Sequence, residues 1–324
     1  MLRAARPFLI ALLPLIVGLG VYYIYWQGKA ARYAADIAAE TGQQVPVTGF
    51  PYRLSADLPS LDLSAGGDAL AANLSTGLAE LTRGPFRPDL VVGRVRSPRL
   101  ELGSKGLGLG ALTAGAPYAD VSLRTGDGVI HRLSVVAPSA GIDAPLLGGA
   151  ATASDLQVHF RETPTETPRA DAGQSPVPPG QADIRLSGLI DWPEGRRARI
   201  VLPVQITADA PLESVAAWQS SGTLEVAGGE IAGGDGEPVA TFDATLAALG
   251  DRLALSGTLE SDCPRTVAAL FGGGGPLGEP EYRRRKPARF VLGGTADAPT
   301  LSERPTPSGG LARNREPPCP VLHR

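Results

Sequence analysis

Apolar and polar positions fall into two regimes along the chain. From Pro7 to Trp26 no position is charged (PFLIALLPLIVGLGVYYIYW), and the run is long enough for a helix to cross a ~30 Å hydrocarbon core at ~1.5 Å per residue. Arg3 and Arg6 precede it. Tyr22, Tyr23, Tyr25 and Trp26 close it, at the depth where amphipathic rings prefer the membrane interface. The pattern predicts a transmembrane helix over 7–26 behind a cytoplasmic stub, 1–6. Residues 27–41 are Ala-rich and lack Pro and Gly after Gly28. They predict a helical stalk that prolongs the membrane helix into water and stops at Gly42.

Beyond the stalk the period drops to two. Leu54, Ala56 and Leu58 alternate with Ser55 and Asp57, and Leu61 and Leu63 resume after Pro59. The stretch from Leu90 to Leu102 reads as a strand broken at Pro98. Val129–Val136, Leu156–Phe160, Ile184–Leu186 and Ile200–Ile206 follow. Leu224–Val226, Phe242–Leu246, Leu253–Leu259 and Ala288–Leu292 complete a rhythm typical of an antiparallel meander. Asp68 to Thr82 fits two readings: Leu70, Leu74, Leu78 and Leu81 have helical spacing, whereas Gly77 and the many small residues disfavour a helix. Gly84 to Asp89 is read as a turn. Short helices are predicted at Pro211–Gln219 and Pro264–Phe271, each with Pro at its start.

Thr163 to Gly180 (TPTETPRADAGQSPVPPG) has almost nothing apolar to offset ordering entropy. It is either a linker between halves or a loop inserted in a sheet, and the loop is preferred. Residues 302–324 are Pro-rich and charged and are read as a disordered tail. Ser221-Gly222-Thr223-Leu224, Ser256-Gly257-Thr258-Leu259 and Gly293-Gly294-Thr295-Ala296 are either successive hairpins or chance. The resulting fold is a mainly β ectodomain over 42–301, a curved antiparallel sheet with two short helices behind one membrane helix.

Composition sharpens this only slightly. The chain has 324 residues with 41 Gly and 30 Pro, above the usual ~7% and ~5%, which favours turns over long helices. Aromatics are 5%, so the core is expected to be aliphatic. A net charge of -3 gives no electrostatic case for nucleic acid. A cleavable signal would end in small residues, whereas this run ends in bulky rings, so a retained signal anchor is the preferred reading. Flanking charge is nearly balanced between Arg3 with Arg6 and Lys29 with Arg32. The short stub favours an amino terminus inside and an ectodomain outside the cytoplasm, which in a bacterium is the periplasm.

Candidate chemistry is sparse. Nucleophilic hydrolysis wants a base beside the nucleophile, but His131 and His159 read as solvated strand residues and His323 lies in the tail. There is no G-x-S-x-G. Gly106 to Gly110 lacks the lysine and helix of a phosphate loop. Asp57 with Asp62, and Asp183 with Asp191, are available carboxylate pairs of a common kind. No cluster has metal-ligand spacing, and no cofactor is expected. Arg283, Arg284, Arg285 and Lys286 follow Tyr282 and read either as a contact for anionic headgroups or as a solvated loop. Cys263 and Cys319 pair in an oxidising compartment or are two unrelated thiols.

Gly49-Phe50-Pro51-Tyr52-Arg53 behind a membrane helix, with Phe86-Arg87-Pro88-Asp89 leading into a Val-rich strand, resembles domain-of-unknown-function family 2125. These are membrane-anchored, mostly alphaproteobacterial proteins. The resemblance covers the anchor to about Leu301, without the 163–180 insertion and the tail. Phe290 to Pro299 (FVLGGTADAP) is similar to the closing strand and turn of AsmA-like proteins, which implies a groove-forming periplasmic sheet and a link to envelope lipids. Neither resemblance brings a functional residue.

Three readings follow. The first is a non-enzymatic inner-membrane envelope protein that holds lipid on an apolar sheet face. The second is a scaffold docking on an envelope assembly through a sheet edge. An envelope hydrolase comes last, for want of catalytic groups.

Overall fold

The computed structural model describes residues 2–66, 70–104, 110–126, 129–144, 149–163, 180–193, 195–208, 218, 222–234, 236–249, 252–270, 280–296, 298–304, 317–320 and 322; within these, the side chains of 2–13, 65–66, 70, 104, 110 and 249 are not described. One helix, α1 (Leu2–Thr41), runs unbroken through the predicted anchor and stalk. It stops where Gly42 adopts a positive φ of 70° and donates its N–H to the Ala38 carbonyl at 2.9 Å, a glycine cap. No helix of the described residues is long and apolar enough to cross a membrane. The apolar run begins at Pro7, and its side chains are described only from Pro14 onwards.

The stalk is not surrounded by water. Trp26, Ala30, Tyr33 and Ile37 recur at helical spacing and are buried against Leu54, Ala56, Leu58, Ala79 and Val95 of the sheet. A helix with one apolar stripe finds its partner on the nearest apolar sheet face, so this segment is part of the core.

The strands are β1 (Val47–Thr48), β2 (Leu54–Leu58), β3 (Leu61–Gly66), β4 (Leu70–Thr76), β5 (Ala79–Gly84), β6 (Arg87–Arg96), β7 (Arg99–Ser104), β8 (Gly110–Gly115) and β9 (Tyr118–Gly126). They continue with β10 (Val129–Ala144), β11 (Gly149–Glu162), β12 (Gly180–Asp191), β13 (Arg197–Thr207), β14 (Thr223–Ala232), β15 (Pro238–Leu249), β16 (Arg252–Ser261), β17 (Ala288–Thr295) and β18 (Ala298–Glu303). All pairings are antiparallel. β2 pairs β5 while β3 pairs β4; β5 pairs β6 while β4 pairs β7; β6 pairs β9 while β7 pairs β8. Thus β2–β3, β4–β5, β6–β7 and β8–β9 are long strands, each interrupted once. From β10 to β18 each strand pairs with the next. The whole is one up-and-down meander.

The interruptions line up. Pro59, Gly77, Ser97-Pro98 and Ala116-Pro117 occupy the same level of neighbouring strands, and Pro138 continues the line within β10. Proline has no N–H to donate to a ladder, which confines it to edges and irregularities. Its carbonyl still accepts. Ser97 N–H donates to Pro117 O at 2.8 Å, and Ala116 N–H donates to Pro98 O at 3.1 Å. Pairing therefore survives across the crease.

Several expectations change. The stretch 68–82 is strand where described, as β4 and β5, apart from the break at Gly77 and Leu78. The turn expected over 84–89 is only Pro85–Phe86, because β6 already starts at Arg87. β11 and β12 pair directly at Glu162↔Ala182, so the Pro-rich insertion is a connection within one sheet. The helix expected at 211–219 lies outside the described residues except for Trp218, which is helical. The other short helix is α2 (Pro264–Leu270). The three Gly-Thr segments are not a repeat. Gly222 lies under the Trp218 indole, Gly257 lies against the Asp243 carbonyl, and Gly294 has a φ of +86° near the end of β17.

The tail is corrected too. β18 reaches Glu303, and among the described residues 317–320 and 322 return to the sheet. Cys319 forms a disulfide with Cys263 across a sequence separation of 56. Cys319 N–H donates to Glu281 O at 2.8 Å, and Arg197 N–H donates to Leu322 O at 2.8 Å. Both cysteines and Leu322 join α2 in a buried cluster with Ile190, Trp192, Val239 and Phe290. A smaller cluster gathers Ala208, Trp218, Leu253 and Ala296.

The bridge acts chiefly by restricting the unfolded chain. Reduction, or Cys319→Ser, is expected to lower unfolding stability by about 2–4 kcal/mol, read as an earlier midpoint in a denaturant titration. An unchanged midpoint would mean that tail docking needs no covalent tie.

Candidate functional site

Where α1 leaves the sheet, its rings are clasped by two loops. The first is the turn from Gly49 to Arg53, closed by Arg53 N–H donating to Gly49 O at 3.1 Å. Gly49 has a φ of +99°, and a Cβ there would lie 2.9 Å from the Arg53 carbonyl oxygen, so glycine is required. Trp26 Nε1 donates to Arg53 O at 3.2 Å, and the Tyr22 hydroxyl donates to Pro51 O at 2.5 Å. Phe50 meets Tyr23 and Trp26 edge-on at 5.2 and 5.6 Å. The second loop is the Pro85–Phe86 turn, whose ring stacks on Tyr22 and Tyr25 at 6.2 and 5.8 Å. These separations suit offset and edge-to-face contacts. Even so, Tyr52 is 85% and Phe86 68% exposed. Leu15, Ile16, Val17, Leu19, Val21 and Ile24 of the same helix are exposed as well.

Below the collar, the Arg83 guanidinium lies 4.0 Å over the Tyr33 ring and pairs with Asp36 at 3.2 Å. Burial pushes the Tyr33 phenol above its ordinary value, against the opposing charge of Arg83.

The face that carries α1 continues as apolar rows, aliphatic but for Phe160. One row is Leu123, Leu133, Phe160, Ile184 and Val204, each opposite the next across a strand pair. The adjacent row is Val121, Val135, Val158, Leu186 and Leu202. All are half-buried. Val121 packs against the α1 cluster; the others belong to none of the three buried clusters.

The opposite face carries a groove of about 580 Å³ over β10–β14. Arg132 and Arg161 are direct cross-strand neighbours there, as are His159 and Arg185. Like charges opposite one another are unfavourable, and among the described residues Arg132, Arg161 and Arg185 make no ion pair. Asp183, directly opposite Arg161, and Glu225 line it as well. Its lining mixes these charged side chains with Phe160, Ile184, Pro203 and Val204, whereas the groove expected for lipid is apolar throughout.

The remaining candidates resolve individually. His159 Nδ1 lies 3.0 Å from Ser134 Oγ on the groove wall, and His131 Nδ1 lies 2.5 Å from Glu162 Oε2 on the surface. His323 and the glycines 106–109 lie outside the described residues. Asp57 and Asp62 sit on consecutive strands either side of the crease. Asp183 and Asp191 share β12, roughly 26 Å apart at ~3.3 Å per residue, and Asp191 pairs with Arg197 at 3.2 Å. Neither pair is brought together for acid–base work. No group of three potential ligands among the described residues could hold a metal.

The basic run is split. Arg283 is an internal clasp: it pairs with Asp262 at 2.7 Å and Glu237 at 3.0 Å and donates to Pro238 O at 3.0 Å. Its hydrogen bond to Asp262 holds it still more firmly charged. Arg284, Arg285 and Lys286 are exposed, with Arg284 3.8 Å from Glu303. Beside them the Glu281 carboxylate, itself buried, accepts from Thr266 N–H at 2.7 Å and Arg265 N–H at 3.1 Å, capping the start of α2.

Sequence reasoning quoted Phe50, Tyr52 and Phe86 as motif residues but missed that they converge on Tyr22–Trp26. A signal was present: Tyr52-Arg53 and Phe86-Arg87 each place an exposed ring and a base in a Gly/Pro turn. The groove arginines were legible as the polar positions alternating with aliphatic ones in β10–β12.

No family model, curated protein or solved structure matches the chain.

Arg283→Ala is expected to destabilise the fold by about 1–3 kcal/mol, because Asp262 loses a charged partner in a half-buried site. Neutralising Arg284, Arg285 and Lys286 together should cost less than Arg283→Ala, because their side chains are exposed and exposed charge contacts contribute little. If those three bind anionic headgroups, that triple variant loses salt-sensitive liposome binding, and unchanged binding removes headgroup contact from this loop.

Proposed function

We propose that this is a membrane-anchored, non-enzymatic protein of the bacterial envelope that holds lipid acyl chains along the apolar face of its sheet. In this reading residues 7–26 span the inner membrane and a curved sheet stands in the periplasm. The supporting observation is the pair of apolar rows from Val121 to Leu202 and from Leu123 to Val204. They join the face on which α1 packs and stay half-exposed between the buried clusters. A continuous apolar strip that stays outside the buried clusters among the described residues supports an interaction surface. The path is continuous, because Val121 touches the α1 cluster and faces Val135. The Cys263–Cys319 bridge fits an oxidising compartment, and the uncharged run fits an anchor.

A second reading has its own observation. Among the described residues β18 pairs only with β17, and its residues are all exposed. An open edge invites strand addition by a partner, which suits a scaffold docking on an envelope assembly.

Lipid extraction and mass spectrometry of the purified full chain separate the two. Bound phospholipid or fatty acid is expected, with loss of that lipid in a Val158→Asp, Leu186→Asp variant that keeps its β-sheet circular dichroism. A lipid-free protein would leave edge docking as the better account, to be pursued by crosslinking in membranes.

A further inference from the structure

We infer that the ring collar is a seat on the bilayer: Phe50, Tyr52 and Phe86 enter the headgroup–acyl boundary beside α1 and hold the ectodomain at fixed depth and rotation. This rests on residues 7–26 being a membrane span, and its occupant is the interface of that same bilayer. Phe50 and Phe86 meet the α1 rings at Tyr22–Trp26, with Tyr52 exposed in the same turn as Phe50, immediately beyond the exposed aliphatic stretch from Leu15 to Val21. An amphipathic ring gains most at that depth, with an apolar body in lipid and a polar edge in the headgroups.

Exposure of Tyr52 and Phe86 is otherwise unexplained. Both sit in tight turns, Phe86 within the two-residue Pro85–Phe86 connection, where the backbone asks for no aromatic side chain. Tyr52 contributes nothing to the α1 cluster.

Charge supplies an independent argument. A base follows the rings on each of the three elements: Lys29 after Trp26, Arg53 after Tyr52, and Arg87 after Phe86. Arg53 and Arg87 are exposed, and neither makes an ion pair among the described residues. Lys29 lies 5.4 Å from the centre of the Tyr25 ring. Long basic chains beside an apolar surface reach back to the polar layer and attract anionic headgroups. A lone helix can rotate about its own axis. A helix with two ring-tipped loops gripping the same interface cannot swivel without pulling a ring out of lipid.

The test uses the full chain, whose native cysteines are tied to each other. A single cysteine at position 52 or 86 (Tyr52→Cys, Phe86→Cys) is labelled with an environment-sensitive nitrobenzoxadiazole dye, with Thr241→Cys on β15 as control. The protein is reconstituted in phosphatidylethanolamine–phosphatidylglycerol vesicles. The labels at 52 and 86 should shift their emission to the blue and be quenched by shallow spin-labelled lipid more strongly than by deep, while the label at 241 reads water. Flotation after alkaline extraction reports the anchor separately. A chain that floats while both collar labels read water overturns the seat and leaves the anchor standing. A chain that does not float overturns both.

Discussion

Pairing between sequence neighbours is the constraint on which the rest depends. Each long strand returns beside the one before it, so backbone hydrogen bonds are satisfied locally and no crossover is needed. Register then decides everything on the two faces, since a slip of one residue would exchange them. With Val158 opposite both Val135 and Leu186, and His159 opposite both Ser134 and Arg185, one face becomes aliphatic and the other charged. The crease is tolerated at Pro98 and Pro117 because the neighbouring Ser97 and Ala116 N–H groups donate across it to the proline carbonyls.

A broad sheet cannot bury its apolar face with a single cover. Here the covers are local and come from far along the chain. α1 closes the first strands, and α2 with the bridged tail closes one end of β10–β17. Trp218 marks a third, smaller cover. Between them the apolar rows stay half-open. That gap supports lipid holding, and it is bounded by covers rather than spread over the whole face. The collar, at the other end of the α1 contact, joins the same face to the apolar part of the helix.

Legibility followed the range of the interactions. The strands β2, β11, β12 and β13 were visible because alternation is written within a few residues. Leu70 to Leu81 was ambiguous because small residues fit either period, and pairing with β7 and β6 chose strand. The tail was read as disordered, yet its described parts, 302–304, 317–320 and 322, are ordered against the sheet. Its Pro-rich, charged composition offers no local reason to order, whereas Cys263 and the Leu322 pocket lie far away in sequence. Arg283 was read with its neighbours as one basic surface, yet its partners Asp262 and Glu237 belong to other elements.

The sequence by itself determined an uncharged helical run, a meander of short-period strands, and the absence of any recognisable catalytic motif. Each is a property of local spacing or residue type. Tertiary structure decided which side of the sheet α1 covers, that 27–41 is core and not stalk, that the tail is tied down, and that Phe50 and Phe86 meet the helix rings. Those outcomes depend on register and on contacts between residues tens of positions apart, which no local pattern encodes.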